Sequence, residues 1–411
     1  MTEAVEWREV TLGTLEAESH GVIQTGPFGS QLHASDYSAD GTPVVMPTNI
    51  RDLRISTDGI ARVADEHVER LARHRLRAGD IVYSRRGDVE KCALVTDDQA
   101  DWLCGTGCLL VRVQGPTVDA RCLAYLLSLS STRAWISQHA VGATMPNLNT
   151  GILREVPVVL PLIDEQRGIA ATLGALDDKI ESNRRAISLI QQLSRASYVA
   201  WHDVITGLRR TTFGEFANVF GGATPKTAEP SYWNGGIAWV TPTDITALGA
   251  PYLFRTARTI SQGGLGSTSA TLHPPGTIFM TSRATIGAFA VAQLPAATNQ
   301  GFIAVRPRMP EHRWFLFEEM RSRVPEMLDR ANGSTFMELS RGNFKLMPLD
   351  VPSDGALRDL NAQLAPLHAR AAQLGQENAR LADVRDALLP ELLSGRIRVP
   401  EAREAVEEAV G

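Results

Sequence analysis

The feature that most constrains this chain is that its second half repeats its first in the same order. GATMPNLNTGILREVPVVLP at 142–161 matches GSTFMELSRGNFKLMPLDVP at 333–352, and Gly142/Gly333, Thr144/Thr335, Leu148/Leu339, Gly151/Gly342, Pro157/Pro348 and Pro161/Pro352 share one offset of 191. GDIVYSRRG (79–87) resembles GTIFMTSRA (276–284), and GCLLVRV (107–113) resembles GFIAVRP (301–307). PTNI (47–50) resembles PTDI (242–245), and TLGTL (11–15) resembles TFGEF (212–216). The offset drifts only between 191 and 201. Chance supplies one such pair but not an ordered series. A duplicated unit of about 195 residues accounts for it, and that is too long for a solenoid repeat.

Each unit reads as α+β. Short β-rich runs at 81–83, 109–113, 278–280 and 302–305 are bounded by Gly, Pro and Asp. Helical stretches follow at 119–139 and 311–331, then a Gly-Thr loop and a strand ending in Pro. Each unit closes with a long helix. In the first, Ile169, Leu173, Leu176, Ile180, Asn183, Ile187 and Ile190 alternate by four and three, the coiled-coil spacing, and Gly207 marks the end. In the second, Leu360, Leu364, Leu367, Ala371, Leu374, Asn378, Leu381, Arg385 and Leu388 do the same, with Pro390 and Gly395 closing it. Pro366 predicts a start or a kink there. Asn183 and Asn378 sit on the seam, where a polar group sets register and partner choice. Two readings compete: each helix lies on its own domain, or the two pair with each other. Their length and shared descent favour pairing. Over 169–204 the first helix would be roughly 50 Å long, a rigid spacer between two lobes. The boundaries expected are a first lobe at 1–160, a central helix at 161–207, a second lobe at 208–354, a C-terminal helix at 355–400 and a polar tail at 401–411.

Composition narrows the function. The chain has 411 residues, 44% of them hydrophobic and 21% charged, enough to build real cores. Its apolar runs are short or broken by charge, so no membrane span is expected. The opening MTEAVEWREV does not resemble a secretory signal. Cys92, Cys104, Cys108 and Cys122 are therefore read as reduced thiols of a cytoplasmic protein, without the spacing of a zinc site. Net charge is −5, unevenly distributed: residues 1–160 carry 15 basic and 20 acidic side chains, residues 208–352 carry 14 and 10. Arginine far outnumbers lysine; a GC-rich genome explains most of that bias, and it also suits bidentate contact with guanine and phosphate. There is no phosphate loop, no H-E-x-x-H, no G-x-S-x-G and no proline pair of the kind amino-methyltransferases use. The acidic-x-Lys triplet Asp177-Asp178-Lys179 lies in a helical run, whereas a metal-dependent nuclease wants it at a strand end.

Two similar but diverged lobes on a helical spacer suit a linear ligand read at two places, and DNA fits physically. The segments PLIDEQRGIAATLGALDDKIESNRRAISLIQQL (161–193), TPKTAEPSYWNGGIAWVTPTDI (224–245), LLPELLSGRI (388–397), TGPFGSQLHASDY (25–37) and GTPVVMPTNI (41–50) resemble the specificity subunit of type I restriction-modification systems, and the likeness covers essentially the whole chain. That resemblance implies an α+β fold with two homologous target-recognition domains, separated by two long antiparallel helices that form a coiled coil. It implies a non-catalytic DNA-binding subunit whose domains each read one half of a bipartite, asymmetric double-stranded site. The helices would dock two modification subunits, which methylate adenine, and restriction subunits. S-adenosylmethionine, ATP and Mg would then belong to those partners and no cofactor to this chain. One departure stands out: Asp164-Glu165-Gln166 opens the first helix, but Gly355-Ala356-Leu357 opens the second.

Candidate DNA contacts are polar groups on loops between short strands: Gln24, Ser30, Gln31, Asn49, Arg51, Arg85, Arg86 and Lys91 in the first lobe, and Lys226, Tyr232, Trp233, Thr243, Asp244, Arg283, Thr285, Asn299 and Gln300 in the second. Arg pairs with guanine O6/N7, and Asn or Gln with adenine N6/N7; Lys226 suits phosphate. Trp233 and Tyr232 read more readily as core or lid residues, and Asp244 also fits a turn or helix cap. Arg85 and Arg283 are taken as equivalent across the repeat. The Gly142/Gly333 and Thr144/Thr335 loops read as scaffolding turns that join lobe to helix. For subunit docking the face near Glu165, Gln166 and Arg167 is nominated, against the simpler reading of a solvated first helical turn. Two other functions stay open: a metal nuclease built on Asp80, Asp88 and Glu90, and a coiled-coil scaffold that binds only protein.

Overall fold

The computed structural model describes residues 7–51, 53–142, 146–332 and 337–410. It divides into two compact units, Met1–Lys179 with Leu381–Gly411, and Ile180–Arg380. In the first, an antiparallel sheet runs in the order Val22–Thr25, Cys108–Arg112, Ile81–Ser84, Cys92–Leu94. All residues of Ile81–Ser84 are buried, which is why that strand is a continuous apolar run rather than an alternating one. A second sheet holds Leu103–Cys104, Thr42–Val45, Ala61–Val63 and Tyr37–Ser38. The predicted helical stretch forms as Ala120–Ser128, capped by Asp119 on the Cys122 amide, and Ser130–His139.

The second unit repeats the first sheet strand for strand: Ala217–Gly221, Phe302–Pro307, Ile278–Thr281, Phe289–Ala292, with Tyr252–Leu253 added in parallel at the edge. Closure of each lobe is identical too. Arg8–Thr11 pairs with Pro157–Leu160, placing Thr11 opposite Pro157, and Arg209–Thr212 pairs with Pro348–Val351, placing Thr212 opposite Pro348. A proline is tolerated there because each ribbon has only two strands, so a free edge takes the missing donor. Thr11 and Thr212 then cap the following short helices through Thr14 N and Glu215 N.

The two long helices are Ile163–Val204 and Asp354–Leu393, and both contribute to both units. In the first unit Arg385 donates to Asp177 at 2.7 Å. In the second, Asn183 Nδ2 donates to Asn378 Oδ1 at 3.0 Å, and Ser194 Oγ lies 2.8 Å from His368 Nε2. Residue numbers rise along one helix as they fall along the other, so the pairing is antiparallel. Ile169, Leu173, Leu176, Ile180, Asn183 and Ile187 are buried as the seam requires. In the partner helix His368 is buried where Leu367 was expected. Its imidazole stacks on Trp314 at 3.6 Å and bonds to Ser194 and Tyr252, contacts a leucine cannot supply. The helix passes through Pro366 without ending; Pro366 and Ala362 are exposed, so the carbonyl left without its donor lies on the solvent side of the helix.

Gly395, at φ +72°, stops the long helix. Beyond it the expected polar tail is a helix, Val399–Val410, which buries Val399, Ala402 and Val406. A Cβ on Gly168 would stand 3.0 Å from a Val399 methyl, so glycine lets the two segments approach closely there. Among the described residues, no helix is long and apolar enough to cross a membrane.

Candidate nucleic-acid interface

In the second lobe, Thr243, Arg283, Thr285, Asn299 and Gln300 line one open cleft of about 270 Å³, with Pro242 and Thr246. Thr243 stands exposed on the helix Pro242–Thr246, whose start is fixed by a reciprocal cap. Asp244 Oδ2 accepts from Thr241 N at 2.8 Å and Oδ1 from Ala257 N at 2.9 Å. Asp244 therefore holds the helix and an adjoining loop, the capping role open to it from the sequence. Asn299 Oδ1 accepts from Gly301 N at 2.9 Å, and Gln300 accepts from the Thr224 hydroxyl. Thr285 is exposed. Arg283 and Gln300 also wall a neighbouring cleft of about 430 Å³ with Ser269, Glu338 and Arg341. Arg283 pairs with Glu338 at 2.9 Å, with their side chains 45% and 44% exposed, so either can exchange its partner for a ligand.

Other second-lobe candidates serve the scaffold. Trp233 is buried, meets Trp239 edge-on at 5.0 Å, carries the Arg258 guanidinium at 3.6 Å above its ring and donates to the Lys226 carbonyl. Tyr232 is half-buried against the same cluster. The Trp233 ring is therefore not presented for base stacking. The Lys226 side chain is exposed.

First-lobe candidates are spread over separate segments. Gln24 donates to the Arg73 carbonyl at 2.7 Å, and Gln31 accepts from Phe28 N at 3.1 Å. Ser30 and Arg51 are exposed. Asn49 is only 2% exposed; it accepts from Met46 N and donates to the Ser56 carbonyl, so it shapes its loop. Lys91 pairs with Asp88. Arg85 is half-buried with its guanidinium 5.6 Å from the Phe28 ring, while Arg86 is exposed.

The repeat equivalence needs correction. Arg86 bridges to Asn147 and Arg283 bridges to Glu338; Val141 bridges to Asn147 and Asn332 to Glu338. Leu148 N donates to the Arg85 carbonyl as Leu339 N donates to that of Ser282. The counterpart of Arg283 is thus Arg86, and that of Arg85 is Ser282. The next residues agree: Gly87 has φ +73° and Ala284 φ +58°, a left-handed turn that strains an alanine. Asn147 and Glu338 were missed among the candidates, although the offset of 191 already placed them opposite each other. Gly142 takes φ +117°, as a scaffolding turn requires, whereas Thr144, Gly333 and Thr335 lie outside the described residues.

At the start of the central helix, Gln166 is only 1% exposed. It donates to the carbonyls of Thr117 at 3.0 Å and Pro161 at 2.8 Å and accepts from Asp119 N at 2.9 Å. These bonds seat the helix on its own lobe and remove Gln166 from any docking face. Glu165 is half-buried, and Arg167 is exposed beside Asp164 at 3.6 Å. The carboxylates weighed for a nuclease have separate duties. Asp80 is fully buried and bonded to Arg112 at 2.6 and 2.8 Å, Asp88 pairs with Lys91, and Glu90 accepts from Ser137. All four cysteines are buried and unbridged, and burial pushes the thiols of Cys92 and Cys104 up to about 12, which makes them inert. Among the described residues, no three metal-ligating side chains cluster.

A duplicated α+β lobe, antiparallel long helices and polar clefts on loops define a class of two-lobed recognition protein, and comparison with known proteins says which. Residues 41–192 and 210–357 match the model of the type I restriction modification DNA specificity domain. The chain is 36% identical over 142 residues to the type I restriction enzyme MjaIX specificity subunit of Methanocaldococcus jannaschii, a stretch covering 34% of this chain and about a third (33%) of that subunit. It is 19% identical to the HindI specificity subunit of Haemophilus influenzae, over 79% of this chain and 88% of the relative. Its fold matches the crystal structure of the type I restriction-modification S subunit from M. genitalium with a TM-score of 0.58 at 18% identity, covering 95% of this chain and 97% of the other. The chain belongs to the type I restriction modification DNA specificity domain family. Its relatives are named as specificity subunits, which are the non-catalytic members of their systems.

Proposed function

We propose that this chain is the subunit that gives a type I restriction-modification complex its DNA sequence specificity. Each lobe reads one half of a bipartite, asymmetric double-stranded site. The paired helices dock two modification subunits that methylate adenine at N6, and restriction subunits join through the same assembly. S-adenosylmethionine, ATP and Mg are bound by those partners, in the cytoplasm, and this chain binds none of them. The observation that carries this reading is the repeated lobe: the same sheet and the same closing ribbon support loops with different polar side chains. A common frame with different reading groups suits a site whose two halves differ in sequence.

The charge distribution says how binding works. The first lobe is net acidic, 15 basic against 20 acidic side chains over residues 1–160, so alone it is poorly suited to phosphate. Basic surface from the modification subunits compensates. The test is methyl-adenine sequencing of host DNA with and without the gene. The expected result is a split motif lost on deletion. Exchange of residues 208–352 for another such lobe changes one half of the motif; a change in both halves overturns modular reading. Purified chain with duplex DNA should bind tightly only when modification subunits are added, and DNA cleavage by the chain alone with Mg²⁺, abolished by Asp88→Ala, would instead identify a nuclease.

A further inference from the structure

The matched bridges across the repeat single out one pair of positions where the lobes share geometry and differ in chemistry. In the first lobe, exposed Arg86 faces half-buried Asn147; in the second, exposed Arg283 faces Glu338. Both pairs follow a strand buried along its length, Ile81–Ser84 and Ile278–Thr281. Both precede a residue in the left-handed region, Gly87 and Ala284, whose amide donates to the carbonyl of the residue before the facing side chain: Pro146 at 3.3 Å, and Met337 at 3.2 Å. The backbone thus delivers two side chains to the same place in each lobe. In the second lobe Arg283 stands on the wall shared by the two clefts, and Glu338 lines the larger of them.

The side chains themselves speak different hydrogen-bond languages. Arginine offers paired donors that fit guanine O6 and N7. Asparagine both donates and accepts and fits adenine N6 and N7. A glutamate carboxylate only accepts, and in the major groove it takes the N4 amino group of cytosine. We propose that Glu338 and Asn147 are specificity-determining residues: with Arg283, Glu338 gives the second half-site a cytosine and guanine contact, and with Arg86, Asn147 gives the first an adenine and guanine contact. This rests on the reading that each lobe binds one half of a DNA site. Without DNA the Arg283–Glu338 ion pair keeps both groups aligned, and its exposure lets it open at little cost.

The test uses the full chain assembled with its modification subunits in a host without other adenine methylation, read by methyl-adenine sequencing and by competition between duplexes differing at one base pair. Glu338→Gln keeps the shape but adds a donor. It is expected to move one position of one half-site from cytosine toward adenine, with discrimination changed by about tenfold or more and the other half untouched. Asn147→Asp is expected to move one position of the opposite half from adenine toward cytosine. Arg283→Lys keeps the charge pair but loses the bidentate fork, so it should relax guanine preference beside the Glu338 position. Unchanged motifs in Glu338→Gln and Asn147→Asp overturn the assignment. So does an equal loss of modification at every site, which marks a general structural or phosphate role. A wild-type complex that leaves no split motif overturns the underlying two-half reading, and this assignment with it.

Discussion

The two lobes reach the same sheet with different interiors. In the first, Asp80 is fully buried against Arg112 and also accepts from Arg77 N at 2.7 Å. In the second, the matching positions are Thr277, which bonds the Pro274 carbonyl, and Arg306, whose guanidinium lies 4.9 Å from the Phe220 ring. One lobe satisfies its arginine with a charge and the other with an aromatic face. Strand order survives the exchange, so the fold depends on apolar strands and closing ribbons, not on a particular polar contact. The loops diverged too: at matched bridge positions Asn147 stands in one lobe and Glu338 in the other, and on the reading proposed above that divergence would change what each lobe recognises.

The largest expected effect separates those interiors. Asp80→Ala leaves the Arg112 cation uncompensated and should destabilise the first lobe by about 3–5 kcal/mol, while Thr277→Ala should cost the second about 1 kcal/mol. Denaturant unfolding followed by proteolysis of each lobe distinguishes them; equal losses would mean the buried charge pair contributes nothing special.

Acid should sharpen the contrast between the units. Burial lowers His368 to about 3 and His273 to about 4 in the second unit, while in the first His74 falls to about 4. Each is neutral when folded and takes up a proton more readily when unfolded. Their contribution is present above the ordinary value of 6.5 and is lost as pH falls from there toward 3–4. The second unit is expected to lose stability more steeply between pH 6.5 and 4, with His368→Gln flattening the slope. Unfolding midpoints against pH provide the measurement, and parallel slopes in both units would contradict it.

A smaller effect tests the matched turn. Ala284→Gly should stabilise the second lobe by about 1 kcal/mol by relieving the left-handed strain, and Gly87→Ala should cost the first a similar amount. A Cβ on Gly87 meets nothing within 4 Å, so the cost is purely conformational. Thermal unfolding of the two variants checks the opposite signs.

Much of this was legible beforehand because it depends on periodicity. The runs around Val82, Leu110, Phe279 and Ala304 became the paired central strands, and the seam placed Asn183 and Asn378 where they hydrogen-bond. Individual roles were harder to read. Asn49 and Gln166 look like exposed contact groups by type, yet each is buried in bonds to backbone, whereas Trp233 is the core residue its type suggested. Glu338 passed unnoticed because its importance comes from facing Arg283 across a bridge, not from a motif of its own.

The order of residues alone determined the duplication, the alternation of strand and helix and the seam spacing of each long helix, because apolar spacing and Gly or Pro punctuation are local properties of a chain. Only the tertiary structure decided which polar side chains are free to meet a ligand. That depends on which backbone donors and acceptors come within hydrogen-bond reach once distant segments are brought together, and no local pattern encodes it.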